Sequence, residues 1–144
     1  MFERFTEKAI NVVSEAQRFA RELGIAEVCP ELLFLALVTE ARGVSLKLFR
    51  MYKLSAENVQ PEVLKYVRTT SKTMDTVPFS HSVKDVLKRT LDLASKSGNQ
   101  NILFEHLFLS VITDKNSNVQ SILEKFNFDI NTIKISEDNY SDLL

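Results

Sequence analysis

The sequence predicts an all-α fold, built as a tandem repeat of two four-helix units (about eight helices) related by a pseudo-twofold axis. Three observations carry this expectation. Apolar residues recur at three- and four-residue steps along most of the chain, the period of a helix buried on one face. Only three Gly and three Pro interrupt 144 residues. The stretch ELLFLALVTE (Glu31 to Glu40) returns 74 positions later as EHLFLSVITD (Glu105 to Asp114), with five positions identical and four replaced in kind; only Leu32 against His106 departs. The same shift pairs Phe5 with Phe79, Thr6 with Ser80, Val12 with Val86, Ala20 with Ala94, Gly24 with Gly98, Val28 with Ile102, Leu48 with Ile122, Tyr52 with Phe126 and Ser55 with Asp129. It needs no gap from Phe5 to Val59. Caps, terminators and core positions held in one register point to a duplicated unit rather than to a chance likeness of two apolar helices.

The elements follow in order. Phe5, Ala9, Val12, Val13, Ala16, Ala20 and Leu23 fall on one helical face, with Thr6 as N-cap and Gly24 as the residue after the C-terminus. PELLFLALVTEA is a shorter helix, apolar nearly all round, with Pro30 in its first turn. VSLKLFRMYK follows Gly43. SAENVQPEVLKYV begins at a capping Ser55 and carries Pro61 at about its second turn, so its first turn is expected to be separate or distorted. RTTSKTMDTVP has no helical period and ends in Pro, as a connector does. The second half repeats the order. The whole is expected to be one domain over residues 1–144: repeat one 1–67, connector 68–78, repeat two 79–135, acidic tail 136–144. Each half is too small to be more than marginally stable alone.

Composition narrows the function. Hydrophobic residues at 44% and charged residues at 26% suit a globular domain, and a net charge of −1 gives no electrostatic footprint for nucleic acid. No apolar run approaches a membrane span, and MFERFTEKAI lacks the apolar segment of a signal peptide. The single Cys29 excludes an internal disulfide, and neither it nor His81 and His106 has metal-ligand spacing. There is no phosphate-cradling G-x-x-x-x-G-K-[ST] loop. Nothing argues for catalysis, and no cofactor is expected.

Two sets of residues stand out as binding candidates. Glu31 and Glu105 each open an otherwise apolar helix. A first-turn carboxylate complements the helix dipole; two related carboxylates also suit two copies of a cation-binding site. Phe5 and Phe79 stand where a hydrophobic staple tucks a helix start into its core. Phe2 precedes the first helix and has no aromatic partner in the second half, which makes it the exposed apolar anchor of a docking face formed with the surface beside Glu31 and Glu105.

The opening MFERFTEKA, the Gly24 terminator, PELLFLALVTEARGVSLKLF and their second-half echoes resemble the N-terminal domain of Clp-type AAA+ unfoldases, ClpC branch, from Met1 to about Ile135. The resemblance implies a double repeat of four helices serving as a substrate- and adaptor-docking module. It would sit on an ATP-driven ring that passes proteins to a ClpP-type protease, in a bacterial cytoplasm or a plastid or apicoplast stroma. Its partners would be adaptors and unfolded or tagged proteins. Some members of that family bind phosphorylated arginine at a doubled G-T-E-H motif, whose Glu matches Glu31 and Glu105. Here the copies read CPEL (Cys29 to Leu32) and LFEH (Leu103 to His106), without the Gly and Thr. A guanidinium contact is therefore implied, and a phosphate contact is not. The departure also suits a stand-alone accessory protein of the same fold that docks on a plastid protease core.

Overall fold

The computed structural model describes residues 2–133; the acidic tail expected at 136–144 lies outside them. Among the described residues seven α-helices run in order: α1 Glu7–Leu23, α2 Pro30–Glu40, α3 Gly43–Met51, α4 Ala56–Val63, α5 His81–Lys96, α6 Phe104–Ile112 and α7 Val119–Lys125. Where an eighth was expected, the chain makes a 3-10 turn, Ile130–Ile133. The Asp129 carboxylate takes the Asn131 backbone N–H at 2.9 Å and so closes a local turn in place of a longer helix.

The helix ends read from sequence are present. Thr6 Oγ1 accepts the Ala9 N–H at 3.2 Å and Ser80 Oγ the Val83 N–H at 3.1 Å, the same cap in both repeats. Gly24 and Gly98 both take positive φ, +65° and +74°. Pro61 lies inside one continuous α4 rather than splitting it, with Ser55 capping at the Asn58 N–H. That is a correction. In so short a helix, Pro61 deletes a single bond near the C-terminus, and the helix ends two residues later.

The repeats exchange backbone contacts. The segment before each first helix pairs with the segment before the other repeat's second helix: Phe5 with Ile102 and Phe79 with Val28. The Thr6 N–H donates to the Ile102 carbonyl (3.0 Å) and the Ile102 N–H to Arg4 (2.7 Å). Symmetrically, the Ser80 N–H donates to Val28 (2.9 Å) and the Val28 N–H to Pro78 (2.8 Å). Every group in one pair of bonds is the 74-shift partner of a group in the other. These bonds tie the halves together around a pseudo-twofold axis.

α2 and α6 lie at the centre and touch each other. Residues 30–38 of α2 and all nine residues of α6 are buried, which explains why these two helices are apolar all round and why they are the best-matched part of the repeat. Leu33, Leu35, Leu37, Leu107, Leu109 and Val111 are in the core, and Ala16, Ala20 and Ala94 are buried with them. Phe34, Phe49, Phe108 and Phe104 form an aromatic chain through the middle, with ring centroids 6.2, 5.4 and 6.3 Å apart.

Candidate docking surface

The two glutamates are not on the surface. Glu31 is 4% exposed and Glu105 1%, which corrects the expectation that both border a docking face. Glu31 reaches across the repeat boundary. Its Oε2 accepts the Asn118 backbone N–H at 2.7 Å and the Asn118 Nδ2–H at 3.3 Å, so a residue of repeat one satisfies the residue that precedes α7 in repeat two. Glu105 has no such partner: neither carboxylate oxygen finds a hydrogen bond. The shift partner of Asn118 is Val44, but α3 opens two residues earlier than α7 does in the shared register, at Gly43 with φ +61°. In that register Val44 lies inside α3, whereas Asn118 precedes α7. Burial accordingly raises the Glu105 pKa; the residue's own backbone N–H dipole and then the Lys8 charge, with the ammonium 4.9 Å from the adjacent Phe104 ring, offset part of this.

Cys29 and His106 are structural as well. Burial, then the Glu31 charge, pushes the Cys29 thiol up to about 12, so no thiolate is available at neutral pH. His106 Nδ1 accepts the Leu103 N–H at 2.9 Å, and Nε2 faces Ser97 Oγ at 3.2 Å. The ring thus caps α6 from within and ties it to the end of α5. Among the described residues there is no cluster of three or more metal-ligating side chains, and no helix is long and apolar enough to cross a membrane.

The three phenylalanines do come together. The Phe2 ring stands edge-on to Phe5 at 5.0 Å and to Phe79 at 6.0 Å. Phe2 is half-buried in this cluster rather than a lone exposed anchor. The exchange of backbone bonds explains the gathering, since it brings the segment before α5 beside the segment before α1. Phe2 and Phe79 line a groove of about 450 Å³ with Ile10, Val13, Ser14, Gln17, Arg21 and Thr76. Its far wall is the connector. The Gln17 side chain fixes that wall, donating to the Val77 carbonyl at 2.7 Å and accepting the Val77 N–H at 2.9 Å. Sequence reasoning missed the α1 contribution. Its signal was present as a second stripe, Ile10, Val13, Ser14, Gln17, Arg21, beside the core-facing one.

The profile of the Clp repeat (R) N-terminal domain matches residues 4–126 and again 78–140. The chloroplastic chaperone protein ClpC1 of Oryza sativa subsp. japonica is 34% identical over 135 residues, which is 93% of this chain and 15% of the relative; the chain thus spans about a sixth of such a protein. Among solved structures, the Hsp104 N-terminal domain of Candida albicans superposes with a TM-score of 0.78 at 16% identity, covering 94% of this chain and 89% of that one. The N-terminal domain of the caseinolytic protease associated chaperone ClpD of Arabidopsis thaliana gives 0.77 at 21%, covering 99% and 97%. A ClpV N-domain solved in complex with a VipB peptide gives 0.66 at 13%, covering 96% and 89%. The duplicated helices, the backbone bonds exchanged between the repeats and these matches agree: the chain belongs to the Clp repeat N-terminal domain family of the Clp ATPases.

Proposed function

We propose that this domain docks adaptors and unfolded or tagged client proteins for a ClpC-like ATP-driven unfoldase that feeds a ClpP-type protease, in a plastid stroma or a bacterial cytoplasm. The docking face is the groove walled by Phe2 and Phe79, with Phe5 packed edge-on behind Phe2. The observation that carries this reading is that half-buried aromatic rings, drawn from both repeats, wall a groove open to solvent and rimmed by polar side chains, the usual pattern of an interface hot spot. The likeness to ClpC1 and the peptide held by a ClpV N-domain support it. Glu31 and Glu105 act inside the fold and are not part of the face.

The test is a titration of the domain with a permanently unfolded client such as casein, followed by fluorescence anisotropy. Phe2→Ala and Phe79→Ala should each weaken binding by about 1–3 kcal/mol, the range of an aromatic anchor, while α5 remains folded by circular dichroism. Wild-type affinity in both variants would place docking elsewhere.

A further inference from the structure

The groove has a direction. Ile10, Val13, Ser14, Gln17 and Arg21 follow one another along α1 at steps of three and four, so they form one line down a single helix face. From Ile10 to Arg21 that line rises roughly 16 Å at about 1.5 Å per residue. An extended peptide covers the same length with about five residues at roughly 3.3 Å each. One end is apolar, made by Phe2, Ile10, Val13 and Phe79. The other end is Arg21, which is exposed and, among the described residues, is the only ionised side chain lining the groove.

The Arg21 guanidinium is little used. Among the described residues its hydrogen bond is a long 3.4 Å contact to the Asp75 carbonyl. The neighbouring Glu22 is taken by Arg18 at 2.6 Å, and Arg18 also holds Glu15. The ion pairs of the described residues give Arg21 no carboxylate. Gln17, the other polar group on the line with both donors and acceptors, is consumed by Val77 on both sides and cannot read a ligand. A planar fork of N–H donors left facing solvent beside an apolar trough matches a carboxylate.

We propose that the groove selects extended protein segments bearing an aromatic or branched aliphatic side chain followed, about four residues away, by a carboxylate, with Arg21 as the specificity-determining residue. This rests on the docking reading above and adds a chemical class to it. The carboxylate comes either from an Asp or Glu side chain or from a chain terminus.

The experiment is a titration followed by the backbone amide signals of the isotope-labelled domain, at low ionic strength and millimolar peptide. The probes are acetyl-Phe-Leu-Ser-Ala-Asp-amide, the same peptide with Asn for Asp, the same with Lys, and acetyl-Phe-Leu-Ser-Ala-Ala with a free terminus. The Asp or the free-terminus peptide should bind about two- to fivefold tighter than the Asn peptide, the worth of a solvent-facing ion pair. That margin should shrink as salt is added. Whichever of the two binds tighter identifies the source of the carboxylate. Arg21→Gln should bring both acids down to the level of the Asn peptide, and Arg21→Glu should turn the preference to the Lys peptide. Equal binding of acid and Asn peptides to wild type, with Phe79→Ala still abolishing both, would overturn the role of Arg21 and leave the docking reading standing. Binding of all four peptides unchanged in Phe79→Ala, or no binding at all, would overturn both.

Discussion

The Glu31 carboxylate of repeat one accepts the backbone N–H of Asn118, 87 positions along the chain and at the mouth of α7 in repeat two. Its repeat partner Glu105 occupies the same place at the start of α6 and accepts nothing. Identical residues at equivalent positions therefore carry opposite energetic signs: one satisfies buried donors, the other is a buried carboxylate without a hydrogen bond.

Substitution should separate them. Glu31→Ala strands the Asn118 N–H and should cost about 1–3 kcal/mol in chemical denaturation. Glu105→Gln should stabilise the domain at pH 7. Because the folded pKa of Glu105 is raised, the wild type's disadvantage exists only where the carboxyl is ionised in the unfolded chain. The gain from Glu105→Gln should therefore fade as pH falls from the raised folded pKa toward about 4.5, and be absent below it. A Glu105→Gln variant no more stable than wild type at pH 7 would refute the assignment.

His106 should make the domain acid-sensitive. Its Nδ1 must be unprotonated to accept the Leu103 N–H, and burial lowers its folded pKa. The unfolded chain then takes up the proton first, so stability is lost as pH falls through about 6.5 toward the lower folded value. Unfolding free energies of wild type and His106→Gln, measured across that window, should converge as pH falls. A constant difference would mean that the ring is not held neutral.

Core truncations should be graded by burial. Leu35 is fully buried and Leu109 is 8% exposed. Leu35→Ala should fall toward the upper part, and Leu109→Ala toward the lower part, of the roughly 2–5 kcal/mol range for such changes. Calorimetry of both variants checks the order; wild-type melting of either would contradict the packing.

The two left-handed glycines should differ in cost. A Cβ on Gly24 would meet the Thr70 carbonyl at 3.3 Å, whereas one on Gly98 meets nothing within 4 Å. Gly98→Ala should cost only the backbone strain of about 1–2 kcal/mol, and Gly24→Ala more than that, because the connector must also shift. Equal melting temperatures for the two would argue against the connector packing seen here.

Local and periodic features were legible in the sequence. The duplication, the Thr6 and Ser80 caps, the Gly24 and Gly98 ends and the burial of α2 and α6 all follow from residue type at fixed spacing. Relations between distant polar groups were not. Nothing in Glu31 announces Asn118, and nothing in Gln17 announces Val77, 60 positions away, although that amide holds the far wall of the groove. The phenylalanines were legible as a set but not as a cluster, because only the exchange of backbone bonds between repeats brings Phe79 beside Phe2. Glu105 misled for a related reason: helix-start position predicts exposure in an ordinary surface helix, but α6 is buried on every side.

The most direct measurement of the docking claim is site-specific photo-crosslinking with casein as the client. A photoreactive side chain is placed in turn at Thr76, on the rim of the groove, and at Lys115, an exposed position in the loop before α7 and outside the groove lining. The groove reading predicts client adducts from position 76, lost in a Phe79→Ala background, and few from position 115. Adducts that form from 115 and not from 76, or that persist from 76 in the Phe79→Ala background, would contradict it.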